Sequence, residues 1–274
     1  MSQSLLGFAR ALGIVVDVVP PIGVWKRYPT EDHPHKRNGA IKFMGDVAFL
    51  QNHATDVEIS VWHAEGDAVM DPNKARKLVE AAHRDIRDKQ EKAAQKAGFI
   101  LHQCQYGFHP YLEKKGFKEE QGNIWKHEDE LLLVIPMRVG HRLVGCQIIN
   151  SEGGKKFLFG QRTSGAAFVF DNHGPNILCE GYATALSIKT AMKALKRRYT
   201  LHVCFSAGNM KKVADTLPGG FVVADNDASR TGQNTAEQIG WPTWMPDTAG
   251  MDANDVHQRD GLFKFSQSLG KVIR

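Results

Sequence analysis

The chain has 274 residues and a mass of 30.5 kDa, enough for one or two domains around a buried core, which excludes a peptide hormone or a disulfide miniprotein. Hydrophobic residues make up 42% and charged residues 24%, ordinary globular usage that argues against wholesale disorder. Lys and Arg number 35 against 30 Asp and Glu, a formal charge of +5 that biases the protein toward anionic partners.

The opening MSQSLLGFARALGIVVDVV lacks the charged head and cleavage site of a signal peptide. No apolar run approaches the ~20 residues of a membrane-spanning helix, so the expected location is cytoplasmic, with no membrane partner. From Ile22 to Glu65, short apolar bursts (AIKF, VAFLQ, ISVWH) among Gly, Pro and His predict a small β-rich module within residues 1–70. Asp71-Pro72 then opens a predicted connecting helix over 71–98, with Leu78, Ala82, Ile86, Ala93 and Ala97 at helical spacing and Gly98 as its stop. Its many mixed charges suit a solvated connector.

Residues 99–172 return to a strand pattern: LLLVIPMR, RLVGCQII and KKFLFG, separated by VGH and SEGG, predict a twisted antiparallel sheet. Over 173–274 the pattern alternates: NILCEG, YATALSIKTAMKALK, LHVCFSA, NMKKVADTL, GFVVADND. Such alternation predicts a parallel sheet covered by helices, so the expected class is α/β. Between Ser151 and Thr200, Lys155, Lys156, Arg162, Lys189, Lys193, Lys196, Arg197 and Arg198 face only Glu152, Asp171 and Glu180, an excess suited to phosphate.

In open α/β sheets, functional groups collect where strands end. Glu180 ends one predicted strand and is followed by Gly181. Asp225 and Asp227 end another and, two apart on an extended strand, point to one side. If the first and third strands of the unit stand close, Glu180 faces that pair. Carboxylates gathered in this way repel unless a hard divalent cation such as Mg²⁺ lies among them. The competing reading is that such acids cap the next helix, and Asp227 is close enough to its helix to do so.

CEGYATALSI followed by FVVADNDASRTGQNTAEQIG resembles the Toprim domain shared by bacterial-type primases, type IA and type II topoisomerases and certain nucleases, over roughly residues 174 to 260. The resemblance implies a Rossmann-like parallel sheet in which Glu180, Asp225 and Asp227 hold catalytic Mg²⁺ or Mn²⁺. Met251-Asp252-Ala253-Asn254-Asp255 resembles the later acidic segment of phage and plasmid Toprim primases, which implies Asp255 as a further metal ligand and catalytic residue, with Asp252 second to it as a metal ligand. One departure is Thr184, where bacterial primases often carry another acid.

The segment from Ile135 to Phe170 resembles the basic module that precedes Toprim in primases, where Arg138, Arg142, Lys155, Lys156 and Arg162 would line one side of the crevice and contact nucleotide and template. HPYLEKKGF, and the stretch from Arg27 to Gly66, also resemble what precedes this module. The implied function is a DNA primase, a DNA-directed RNA polymerase that makes short RNA primers on a single-stranded DNA template from ribonucleoside triphosphates. A replicative helicase is the implied partner, and a bacterial host cell the compartment if the chain is phage-encoded. The alternatives are a Toprim nuclease and a catalytically silent nucleic-acid-binding replication factor.

Bacterial primases usually begin with a zinc domain, but no cysteine precedes Cys104, and Cys104, Cys146, Cys179 and Cys204 contain no C-x-x-C pair. Zinc is not expected, whether from these thiols or from His33, His35, His53 and His63, whose spacing matches no standard finger. The first module would then meet phosphate through Lys26, Arg27, Lys36, Arg37 and Lys42. Trp25, Tyr28, Phe43 and Trp62 either stack on single-stranded bases or belong to its core. No Walker A pattern is present, and Ser206 is expected to hydrogen-bond backbone and not to act as a nucleophile.

Overall fold

The computed structural model describes residues 4–55, 59–64 and 72–273. It is a mixed α/β protein whose chain divides into two compact units, residues 1–86 and 87–274. No helix of the described residues is long and apolar enough to cross a membrane.

The first unit begins with α1 (Leu5–Ala11), capped by Ser4, whose hydroxyl accepts from the Gly7 N–H at 3.1 Å. Strands β1 (Trp25–Tyr28), β2 (Gly39–Phe43), β3 (Val47–Asn52) and β4 (Ser60–His63) form an antiparallel sheet in sequential order. One core gathers Leu5, Ala9, Ile14, Ile41, Ala48 and Leu50, with Tyr28, Phe43 and Trp62 packed against it. Trp25 packs beside Val47 and Phe49. The four aromatics considered for base stacking thus contribute to the cores, at least in part, while Lys26 and Arg27 on β1 are exposed.

Helix α2 (Pro72–Gln103) outlasts its expected stop at Gly98; Asp71, its expected cap, lies outside the described residues. Within the second unit its Ala93, Ala97 and Ile100 bury against Val134, Cys146 and Leu158, and this packing outweighs the weak helix propensity of one glycine. After α2 come β5 (Gln105–Gly107), α3 (Pro110–Lys114), β6 (Gly122–His127), β7 (Glu130–Val139), β8 (Arg142–Ile149) and β9 (Lys155–Phe157). These strands make an antiparallel meander in the order β5-β6-β7-β8-β9.

The next elements are β10 (Phe168–Asp171), β11 (Asn176–Cys179), α4 (Tyr182–Ala194), β12 (Thr200–Val203), α5 (Ala207–Ala214), β13 (Gly220–Val223), α6 (Thr231–Ile239), β14 (Thr243–Trp244) and α7 (Ala253–Val272). The sheet order is β10-β12-β11-β13-β14. Its last four strands run parallel, as the alternation predicts, but β10 joins this sheet antiparallel to β12 and not the meander to which its position in sequence assigned it. Ile177, Leu178, Val222 and Val223 are buried, as strands covered on both faces require. The meander and the parallel sheet share one core, in which Leu133, Ile135 and Ile149 meet Ile177, Tyr182, Leu186 and Phe265; residues 99–172 and 173–274 therefore belong to the same compact unit.

Candidate metal centre

Strands β11 and β13 are direct neighbours, with Cys179 opposite Val223. Their carboxyl ends therefore deliver Glu180 and, two residues past Val223, Asp225 to the same edge of the sheet. The backbone at Glu180 is fixed from the other side, because its carbonyl accepts from the Phe205 N–H at 2.9 Å. Its carboxylate accepts from the Ala207 N–H at the start of α5. That helix is capped by Ser206, whose hydroxyl accepts from the Asn209 N–H at 3.2 Å, the backbone role expected of this serine.

Asp225 sits under α6, where Gly232 is required: a Cβ at Gly232 would lie 2.4 Å from the Asp225 carbonyl oxygen. One Asp225 carboxylate oxygen, Oδ1, is buried without a hydrogen-bond partner. Asp227 points into the turn that follows it, its carboxylate accepting from the Ser229 hydroxyl at 2.6 Å and the Thr231 N–H at 3.2 Å. The turn-capping alternative thus describes what Asp227 does in this structure.

The later acidic segment is latched to the site by a residue that sequence reasoning passed over. Asn226 donates its N–H to the Met251 carbonyl at 3.1 Å and its side-chain amide to the Pro246 carbonyl at 2.9 Å. The signal was its place between the two aspartates, where strand alternation turns it away from them. The latch places Asp252 within electrostatic reach of Glu180 and Asp225. Asp252 caps α7 in a capping box: its carboxylate accepts from the Asp255 N–H at 2.8 Å, and the Asp255 carboxylate accepts from the Asp252 N–H at 3.0 Å. Both carboxylates of this segment therefore serve the helix start, and Asp252 is the one whose charge bears on Glu180 and Asp225.

Burial, then the charges of Glu180, Asp252 and Asp227, push the Asp225 carboxyl up to about 7, against the opposing pull of Lys155. Glu180 is also raised, by burial first and by Asp227 and Asp252, with Lys155 and the Ala207 N–H holding it down. Among the described residues no three His, Cys, Asp or Glu side chains form a ready coordination shell. The Asp225 Oδ1, buried without a partner amid mutually repelling carboxylates, is a hard oxygen donor of the kind a divalent cation takes, while the Asp227 and Asp252 carboxylates are engaged by their own turn and helix start.

The cations expected along one side of the crevice are divided. Lys155 acts on Glu180 and Asp225 and is the one the structure brings to the acids. Lys156 pairs with Ile148 in the β8–β9 register, on the face that packs against α2, and Arg142 reaches Glu91 of α2 at 2.6 Å. Adjacent strand residues point to opposite faces, so Lys155 and Lys156 do not share a side. Arg138 donates to the His141 carbonyl at 3.0 Å and Arg162 to the Ser164 carbonyl at 3.0 Å, each held to its own loop. Thr184 is buried in α4 and lies close to Gly181. No family model matches this chain, and no curated protein matches its sequence.

Proposed function

We propose that this protein is a Toprim-type DNA primase that joins ribonucleoside triphosphates into short primers on single-stranded DNA. The observation that carries this reading is the buried Asp225 carboxylate, its Oδ1 without a protein partner, at the end of a strand adjacent to the one that ends in Glu180. Asp252, latched in through Asn226, and Lys155 from the neighbouring meander support it, since they add a third acidic segment and an anion-binding group at the same place.

Glu180, Asp225, Asp227 and Asp252 would hold Mg²⁺ or Mn²⁺; when bound, the cation would neutralise triphosphate charge and lower the pKa of the attacking 3′-hydroxyl. The protein's own part is positional. The Ala207 N–H orients the Glu180 carboxylate, the Thr231 N–H orients that of Asp227, and the Asp252–Asp255 capping box sets the third segment. Lys155 would offset charge on the departing pyrophosphate. No covalent intermediate on the protein is needed.

The test is primer synthesis with purified protein, single-stranded DNA, labelled ribonucleotides and Mg²⁺. Wild type should yield short oligonucleotides, and Asp225→Ala should lower the yield at least 100-fold. Cleavage of linear or circular DNA in the absence of nucleotides would instead assign the same carboxylates to a Toprim nuclease. DNA binding indifferent to Mg²⁺, with neither synthesis nor cleavage, would mark a silent replication factor.

A further inference from the structure

The basic run that closes α4 is not used by the acidic centre. The acids gather at the amino end of α4, whereas Lys193, Lys196, Arg197 and Arg198 lie at and beyond its carboxyl end, about 20 Å away at 1.5 Å per residue. There they border an open cleft of about 710 Å³ between the end of α4 and the edge strand β10. Val169 and Phe170 form its apolar wall.

Part of this charge is already committed. Lys189 pairs with Glu120 and lies over the Phe170 ring, 5.1 Å from its centroid. Arg197 donates to the carbonyls of Gly270 and Ile273 and so ties down the end of α7. The Asp171 carboxylate at the cleft is occupied by the Thr200 hydroxyl and the His173 N–H, each at 2.9 Å, and by the His173 ring at 3.6 Å. Lys193, Lys196 and Arg198 are exposed and meet no carboxylate among the described residues. A single cation in the last turn would satisfy the helix macrodipole, and three unpaired ones converging on a cleft exceed that need.

We propose that this cleft is a second anion site, remote from the acidic centre, that takes the phosphodiester backbone of a single-stranded nucleic acid. A compact triphosphate is normally wrapped by backbone N–H groups at a helix amino end, and this cleft offers a helix carboxyl end instead. Spaced, solvent-exposed cations along an open rim suit successive phosphates, and the exposed Val169 side chain offers apolar surface to a base. The site would anchor a strand whether or not the acidic centre is catalytic.

The test is fluorescence anisotropy of a labelled single-stranded DNA 20-mer on the full chain in EDTA, comparing wild type with the triple variant Lys193→Gln, Lys196→Gln, Arg198→Gln. The variant should bind about tenfold more weakly, and its log-affinity against log-salt slope should be shallower by about 2, from roughly 0.7 per phosphate contact on single strands. A charge-matched control, Lys92→Gln, Lys126→Gln, Lys264→Gln, should stay within about twofold of wild type. If the triple variant does not fold, Lys196→Glu alone carries the same test. Unchanged affinity and slope in the cleft variant, or an equal loss in the control, would overturn the proposal. So would displacement of the DNA by millimolar ATP or inorganic triphosphate from wild type but not from the triple variant, since the cleft would then take a free polyphosphate. Asp225→Asn should leave DNA binding intact, so failure of the catalytic reading and failure of this one are distinguishable.

Discussion

Asp225 is stabilised in its protonated form by its surroundings, and that preference has a pH signature. Its carboxyl is raised to about 7 in the folded chain, chiefly by burial, against about 3.9 when unfolded. Between those values the native state holds more protons than the unfolded state, so metal-free protein loses stability as pH rises through that window. Glu180, also raised, adds to the effect with the same sign. Thermal unfolding in EDTA at pH 5 and pH 8 should show a lower midpoint at pH 8, and Asp225→Asn should flatten the difference. An identical pH dependence in the variant would contradict this account of the site. At this scale Glu180 and Asp225 were legible in the sequence, because a strand followed by an acid and a turn gives away its end. The relative weight of Asp252 and Asp255 was not, because it turns on which carboxylate of one capping box bears on Glu180 and Asp225 across the fold. The separation of Lys155 from Lys156 was latent in strand alternation and became visible only with the β8–β9 register.

Among the elements, α2 shows how tertiary packing overrides a local stop signal. Gly98 lies inside the helix, and a Cβ built there would meet only Leu143 Cδ2 at 3.9 Å, an ordinary contact. Gly98→Ala should therefore stabilise the second unit by about 0.5–1 kcal/mol, the cost of glycine in a helix interior. Urea unfolding checks it, and a fall in midpoint would mean that the helix needs glycine at that position. The long apolar helices and strands of the second unit were readable because their periods differ, 3.6 against 2. The membership of β10 was not, because an edge strand of four residues carries the same alternation whichever sheet it joins. Gly232 was equally opaque: its role arises from contact with the Asp225 carbonyl across the fold, and nothing in TGQNT announces it.

For the whole molecule, the net charge of +5 conceals a division of labour along α4. Carboxylates gather at its amino end, where the carboxyl ends of β11 and β13 meet, and exposed cations gather at and beyond its carboxyl end. The α/β class followed from the alternation of elements, but the grouping into units did not. The meander and the parallel sheet are separate patterns in the sequence, and they become one unit because Leu133, Ile135 and Ile149 bury against Ile177 and Leu186. The claim on which the functional reading rests is that the carboxylates from three chain segments share a divalent ion. Titration of Mn²⁺ into the protein, followed by the loss of the free-ion electron paramagnetic resonance signal at pH 8, measures this without reference to any activity. Wild type should bind Mn²⁺, Asp225→Asn and Glu180→Gln should each weaken binding at least tenfold, and Asp255→Asn should weaken it less than Asp252→Asn. Equal Mn²⁺ affinity in wild type, Asp225→Asn and Glu180→Gln would contradict the assignment of this site.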